Sequence, residues 1–190
     1  MNLYRNFIMS NVYFQIGTND GNDLFNKMCK KDKPDKIILI EPNKLLFSKI
    51  ENNYKDIPNV IIYSNAIYYK SNETIKLYIP EMKENVKPKV ELHTNKITKK
   101  GINNYDYNDC HFTIFPMNDW GDIKKMETIE TTTITFDDIC EKENISSIDY
   151  LQIDTEGFDY EIIKMIDFDK YNIKKIRFEK WLFNPDVYMN

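Results

Sequence analysis

The sequence is poor in the residues on which metal-binding and disulfide-stabilised domains depend. Its 190 residues include three cysteines and two histidines. Cys29, Cys110 and Cys140 are odd in number and widely spaced, which favours a reducing compartment over a disulfide framework. No zinc-ligand spacing occurs, and two histidines are too few for a His-rich metal site. We therefore predict no metal centre of these kinds.

Long apolar runs and an excess of positive charge are also absent. The formal net charge is -4, so no basic field points to nucleic acid or to an anionic membrane surface. The first residues contain no small-residue cleavage site and no apolar span of about 20 residues. We predict a soluble, cytoplasmic protein that neither binds nucleic acid nor inserts into a membrane.

What the sequence does contain suits one globular domain over residues 1–190. With 42% hydrophobic and 29% charged residues, the chain can bury a core of its own. Apolar β-type runs alternate with helix-type segments, which favours a mostly parallel central sheet with helices on both faces. The expected strands are "NVYFQIG", "DKIILIEPN", "NVIIYSNAIYY", "TIKLYIP", "TTTITF", "IDYLQIDTEG" and "IKKIRFEKWLF". The expected helices are "NDLFNKMCKK", residues 45–50, "TFDDICEK", where Thr135 and Asp138 have capping-box spacing, and "FDYEIIKMI".

From about residue 81 to residue 128 this alternation stops. The segment is rich in Lys, Asn, Asp, Tyr and Pro, and it exceeds the length of about 12–15 residues typical of structureless loops. It is either a lid or disordered. Its inner piece "CHFTIFPMNDW" is apolar enough to dock on the domain, and we therefore favour a partly ordered cover.

Glycine is scarce, and its placement is informative. Two of the five glycines, Gly17 and Gly21, fall in "VYFQIGTNDGNDLF", a strand, turn and helix. In an open parallel sheet, glycines in the first such turn let backbone amides approach a ligand closely. The alternative is that they only permit a positive φ in a tight loop.

Acidic residues follow the other predicted strands. Glu41 ends "ILIE" about 20 residues after the glycine turn. An acid at this position can accept hydrogen bonds from both hydroxyls of an adenosine ribose. The alternative is that Glu41 is a negative charge at a helix N-terminus, before Pro42. Asp154 and Glu156 end "IDYLQIDTEG" and are either site residues or helix caps. Glu179 is either a site residue or a partner of a neighbouring basic side chain.

Six segments in this order resemble the FkbM family of S-adenosylmethionine-dependent methyltransferases. They are "FQIGTNDGNDLF", "ILIEPN", "SNAIYY", "TTTITFDDI", "IDYLQIDTEGFDYEIIKMI" and "IRFEKW", and they span residues 12–181 with 80–128 unmatched. The resemblance implies a Rossmann-like class I methyltransferase fold that binds S-adenosyl-L-methionine. It also implies O-methylation of a hydroxyl group on a sugar, a glycan or another small molecule.

The resemblance also assigns roles to particular residues. The glycine turn would lie beneath the methionine part of the cofactor, and Glu41 would hold the ribose hydroxyls. Asn65 and Ala66 would lie along the adenine, and Asp154 with Glu156 would face the amino acid end and the reacting methyl group. The expected cofactor-binding residues are Gly17, Thr18, Asn19, Asp20, Gly21, Glu41, Pro42, Asn65, Ala66 and Asp154. The expected catalytic residues are Asp154, Glu156 and Glu179, with His111 as a further candidate base if the insert folds over the pocket.

Two departures from the family pattern leave alternatives open. An acid usually occupies the position of Gln15, so contact with the cofactor's ammonium group is expected to be weaker or absent. The C-terminal antiparallel hairpin is expected to be shortened or missing. Either the sheet is shortened, or residues 182–190 supply a reduced edge, or a partner chain, as in a homodimer, covers that edge. These departures motivate the alternative of a non-catalytic cofactor-binding or scaffold protein.

Two further alternatives rest on the residues themselves. Asp154, Glu156 and Glu179 are oxygen ligands that suit a divalent cation. A nucleotide-dependent oxidoreductase needs Gly-x-Gly-x-x-Gly, but here the residue two positions after Gly17 is Asn19, which argues against it.

Overall fold

The computed structural model describes residues 11–78 and 128–178. The strands in these ranges are β1 Val12–Ile16, β2 Lys36–Ile40, β3 Val60–Tyr63, β4 Ala66–Ile67, β5 Thr74–Tyr78, β6 Thr128–Ile134, β7 Ser147–Ile148, β8 Tyr150–Ile153, β9 Asn172–Ile173 and β10 Ile176–Phe178. The helices are α1 Leu24–Asp32, α2 Phe47–Tyr54, α3 Phe136–Lys142 and α4 Asp159–Met165, and a 3-10 turn at Lys44–Leu46 precedes α2. No helix in these two ranges is long and apolar enough to cross a membrane.

Five strands form the central sheet in the order β10-β8-β1-β2-β3, and every neighbouring pair is parallel. Its central strands are continuous apolar runs because a parallel sheet is buried on both faces. Ile37, Ile38, Leu39 and Ile40 of β2 are each at most 1% exposed. The prediction of a mixed α/β protein with a mostly parallel sheet is confirmed. The Rossmann-like classification and the shortened C-terminal hairpin remain predictions.

Alternate residues of the central strands belong to two separate hydrophobic cores. Phe14 and Ile38 belong to a cluster that includes Phe136 of α3 and Ile162 of α4. Neighbouring strand residues such as Ile37 point the other way, into a cluster that contains residues of α1 and α2. Because side chains alternate across a strand, each face of the sheet is covered by its own pair of helices.

The segment "NVIIYSNAIYY" is not one strand, as the sequence suggested, but two. β3 ends at Tyr63, and β4 pairs in parallel with β6 outside the central sheet. Between them, the Asn65 side-chain amide donates to the carbonyl oxygen and the hydroxyl of Thr132 at 3.3 and 2.9 Å. Asparagine side chains compete with ladder hydrogen bonds in this way, and the strand direction changes here.

The predicted strand "TIKLYIP" also lies outside the central sheet. It forms β5, which pairs antiparallel with β6, so β4, β6 and β5 make a small three-stranded sheet. β6 already begins at Thr128, the expected end of the insert. The expected lid at 81–128 otherwise lies outside the described residues, and the single-domain organisation remains a prediction.

The predicted start of α3 is confirmed. The Thr135 hydroxyl accepts a hydrogen bond from the Asp138 backbone N–H at 3.0 Å. The return contact of a capping box runs through a third residue, because the Thr135 N–H donates to the Ser71 hydroxyl and that hydroxyl donates to the Asp138 carboxylate. Ser71 thus ties the loop after β4 to the beginning of α3.

Candidate functional site

The carboxyl ends of β1, β2 and β8 meet at one edge of the sheet. Ile16 is in register with Ile40 on one side and with Ile153 on the other. The residues that follow these three strands, Gly17, Glu41 and Asp154, are therefore neighbours. The Gly17 N–H donates to the Ile40 carbonyl at 2.9 Å, and the Asp154 N–H donates to the Ile16 carbonyl at 2.9 Å.

Gly17 is required by a close approach between two chain segments. Its φ is +82°, and a Cβ built on it would lie 1.8 Å from the Asp154 carbonyl oxygen. No side chain fits there without moving β1 away from β8. Gly21 has φ +73°, and its Cβ would lie 3.0 Å from the Tyr54 ring. Burial raises the pKa of the Tyr54 phenol, so this ring packs against the glycine turn in its neutral form.

Glu41 joins two loops at the edge of the sheet. It is only 5% exposed. One carboxylate oxygen accepts from the Asn19 backbone N–H and the other from the Asn43 backbone N–H, both at 2.8 Å. Asn19 lies in the glycine turn with φ +52°, and the Asn43 side chain caps the 3-10 turn before α2. A carboxylate offers about four acceptor positions, and two of those of Glu41 bind backbone N–H groups.

The turn between β8 and α4 holds the other two predicted acids. Glu156 has φ +53° and Gly157 has φ +110°, so the backbone here lies in the left-handed region that a non-glycine residue rarely adopts. Asp159, only 4% exposed, fixes the turn because its carboxylate accepts from the Thr155 N–H at 3.0 Å and from the Thr155 hydroxyl at 2.7 Å. Left-handed backbone of this kind clusters at functional sites.

A cavity of about 260 Å³ opens at this edge of the sheet. That volume exceeds the share of several water molecules in the liquid, which is about 30 Å³ each, and it suits part of a small-molecule ligand. Five acidic residues line it, and none of its lining residues in the described ranges is Lys, Arg or His. The acidic lining residues are Asp20, Asp23, Glu41, Asp154 and Glu156.

Part of the cavity lining forms an apolar wall. It contains Ile67 of β4, Leu77 of β5, and Phe158 and Ile162 at α4. The cavity also has polar groups without a partner in the structure. The Thr18 hydroxyl and the Asn19 side-chain oxygen are buried and form no hydrogen bond. Buried polar atoms of this kind are costly unless a ligand or water satisfies them.

Ten of the residues predicted from the sequence line this one cavity: Gly17, Thr18, Asn19, Asp20, Glu41, Pro42, Asn65, Ala66, Asp154 and Glu156. Gly21 does not line it and instead packs against α2. Glu179 and His111 lie outside the described residues. No cluster of three or more His, Cys, Asp or Glu side chains that would suit a metal ion occurs within ranges 11–78 and 128–178. Which of the lining residues contact a ligand remains a prediction.

Sequence reasoning missed Asp23 and the apolar wall. Asp23 caps α1, since its carboxylate accepts from the Asn26 backbone N–H at 2.9 Å, and an acid directly before an apolar helical pattern is a recognisable N-cap signal. The apolar wall has no local signal. Leu77 and Ile162 come from separate elements that meet only through tertiary packing.

Gln15, where the family pattern usually has an acid, does not line the cavity. It is 1% exposed, and its side-chain N–H donates to the Asp23 carboxylate at 2.6 Å. The neutral residue that stands on β1 in place of an acid therefore contacts an acidic residue, Asp23, at the start of α1. The partner of Gln15 across the sheet, Gln152 on β8, points to the same carboxylate oxygen at 3.4 Å.

A parallel sheet with an acidic cavity at its carboxyl edge is consistent with a methyltransferase. A family model described as the methyltransferase FkbM domain matches residues 15–188. The chain belongs to this family, and the resemblance in the sequence is confirmed. No curated protein and no solved structure gives a significant match.

Proposed function

We propose that the protein is an S-adenosylmethionine-dependent O-methyltransferase that acts on a hydroxyl group of a sugar, a glycan or another small molecule. The observation that carries this proposal is the charge of the cavity, which is lined by five carboxylates and, within the described residues, by no basic side chain. S-Adenosylmethionine carries a sulfonium and an ammonium group, and a site lined by one sign of charge attracts a ligand of the opposite sign.

The geometry of the lining supports this ligand over a nucleotide with phosphate groups, which would be repelled by the same carboxylates. Glu41 is positioned to accept the two ribose hydroxyls in charge-assisted hydrogen bonds. Thr18 and Asn19 offer buried polar atoms without partners, and the apolar wall around Ile67 and Leu77 suits a flat base. Asp154 lies on the far side of β1 from Glu41, since the strand order places β8 and β2 on either side of β1.

When bound, S-adenosylmethionine would supply a methyl group whose carbon forms a bond to the acceptor oxygen as its bond to the sulfonium sulfur breaks, which leaves a neutral thioether. The chain itself has to orient the acceptor and accept the proton of its hydroxyl group. Asp154 and Glu156 are the described candidates, because both line the cavity beyond β8. The left-handed backbone at Glu156, held through Thr155 and Asp159, fixes the direction of this turn. Glu179 stays a candidate from the sequence.

The proposal is tested by titration calorimetry with S-adenosylhomocysteine, with NAD⁺ as the comparison ligand. We expect heat of binding for the first ligand and none for the second. A protein with the circular dichroism and cooperative melting of a folded domain that gives no heat with S-adenosylhomocysteine would refute the proposal. NAD⁺ binding without S-adenosylhomocysteine binding would favour the oxidoreductase alternative.

Transfer itself is tested with methyl-labelled S-adenosylmethionine and a panel of methyl glycosides and simple phenols. Binding without a labelled product would favour the non-catalytic alternative. Where a product forms, comparison of Glu156→Gln with Asp154→Asn shows which of the two carboxylates accepts the proton of the hydroxyl group. Loss of the base should lower kcat by about 10²–10⁴. Glu156→Gln should change S-adenosylhomocysteine affinity little, because Glu156 is not among the expected cofactor-binding residues. Glu51→Gln is the matched control, because Glu51 is an exposed carboxylate on α2 outside the cavity.

A further inference from the structure

Asp23 is the centre of a buried polar network between β1, β8 and α1. Gln15 and Gln152 are in register on the two strands and are 1% and 5% exposed. Both side-chain amides donate to the same Asp23 carboxylate oxygen, at 2.6 and 3.4 Å. Because a carboxylate only accepts hydrogen bonds, both amides must turn their N–H groups towards it. Their own carbonyl oxygens are left buried without a partner.

The negative charge of Asp23 has no cationic partner among the described residues. Its carboxylate receives only neutral donors, namely the two glutamine amides and the Asn26 backbone N–H. It lines the cavity and is partly buried, so a cation inside the cavity would be its counter-charge. An asparagine at this position would keep the helix cap and would remove the negative charge.

Asp23 lies on a defined side of the cavity. Its hydrogen bonds lead to β1 and β8, the side of Asp154, whereas Glu41 follows β2 on the other side of β1. Asp20, another acidic lining residue, is tied to the Glu41 side, since its backbone carbonyl accepts from the Asn53 side chain on α2 at 2.9 Å. If the ribose lies at Glu41, the amino-acid end of the cofactor extends towards Asp23.

We propose that Asp23, oriented by Gln15 and Gln152, binds the α-ammonium group of the cofactor's methionine portion. Asp23 thereby supplies the negative charge that the family pattern usually places at the position of Gln15. The inference rests on the proposed function, because it needs S-adenosylmethionine in the cavity. The buried Thr18 hydroxyl without a partner in the cavity wall is an independent sign that a polar ligand completes this site.

The test compares two ligands that differ only in the ammonium group. S-Adenosylhomocysteine carries it, and its deamino analogue, S-adenosyl-4-mercaptobutyrate, keeps the adenosine and the carboxylate but lacks it. Wild-type protein should bind S-adenosylhomocysteine about 10- to 100-fold more tightly than the analogue, the range for a hydrogen bond between charged groups. In Asp23→Asn this preference should fall to about twofold or less, through loss of S-adenosylhomocysteine affinity alone.

Two controls keep the result specific. Glu51→Gln removes an exposed carboxylate on α2 outside the cavity and should keep the wild-type preference between the two ligands. The melting temperature of ligand-free Asp23→Asn should stay close to that of the wild type, because asparagine keeps the cap of α1. This readout is independent of the cofactor.

The outcomes separate this inference from the function on which it rests. Wild-type protein that binds neither ligand would overturn both. Wild-type protein that prefers S-adenosylhomocysteine, with the same preference in Asp23→Asn, would overturn only the role of Asp23. A preference lost in Asp20→Asn instead would place the ammonium group on the other side of the glycine turn and would also overturn it.

Discussion

Replacing Glu41 by alanine should damage folding and cofactor binding by separable amounts. In the folded protein the Glu41 carboxylate accepts two backbone N–H groups at 2.8 Å, one from the glycine turn and one from the loop after β2. Hydrogen bonds to charged groups contribute about 1.5–3 kcal/mol each. Water can enter the open cavity and recover part of this, so we expect the free energy of unfolding to fall by about 2–4 kcal/mol in urea denaturation.

The effect of the same change on binding follows from the ribose. Loss of the charge-assisted contacts to its hydroxyl groups should weaken S-adenosylhomocysteine binding by about 1–3 kcal/mol, which is about 5- to 150-fold in Kd. The measurement is calorimetry at a temperature where the Glu41→Ala protein is fully folded. A 2′-deoxy analogue of S-adenosylhomocysteine separates direct contact from loop disorder, because it removes one of the proposed partners of Glu41 from the ligand.

In wild-type protein the 2′-deoxy analogue should bind more weakly than S-adenosylhomocysteine, and in Glu41→Ala the two should bind alike. Glu51→Ala is the matched control, since it removes an exposed carboxylate from α2 and should change neither stability nor affinity appreciably. Equal affinities of the two ligands for wild-type protein would mean that the ribose is held by other residues. In that case Glu41 serves only to join the two loops.

Three further predictions concern the framework. Gly17→Ala should lower the free energy of unfolding in urea by at least about 3 kcal/mol, because its Cβ would lie 1.8 Å from the Asp154 carbonyl oxygen at a φ of +82°; a loss below 1 kcal/mol would mean that β1 and β8 separate easily. Thr135→Ala should cost about 1 kcal/mol in the same assay through loss of the α3 cap, and no change would show that the Thr135 hydroxyl does not stabilise the helix. Burial raises the pKa of Cys29 and of Cys140 to about 12, so at pH 8 both remain thiols. In a variant whose third cysteine is replaced by serine, a thiol-reactive dye should react only after denaturation, and rapid reaction of the folded protein would contradict this.

The central sheet was predictable because its signals are local. β1 and β2 are short apolar runs, and the residues after them end each run with a glycine or an acid. The split between β3 and β4 was not predictable in this way. It depends on a contact between Asn65 and Thr132, which are 67 positions apart in the chain, and periodicity carries no information about such a partner.

The residues of the candidate site show the same difference between local signals and tertiary contacts. Gly17, Glu41 and Asp154 could be placed together from the sequence, since the carboxyl ends of parallel strands share one edge. The apolar wall could not, because Leu77 belongs to a strand that pairs outside the central sheet and reaches the cavity only through tertiary packing. The sequence therefore located the polar half of the cavity and left its apolar half undefined.

Gln15 shows that the charge at one motif position does not give the charge of the whole site. From the sequence, a neutral residue at this position suggests a weakened contact with the cofactor's ammonium group. In the folded chain the amide of Gln15 donates to Asp23, eight positions later, and Asp23 lines the cavity whereas Gln15 does not. A ligand responds to the charge that reaches the cavity and not to the position in the chain that supplies it. A neutral residue in a motif is therefore evidence about one side chain, and the charge of the site has to be determined from every element that borders it.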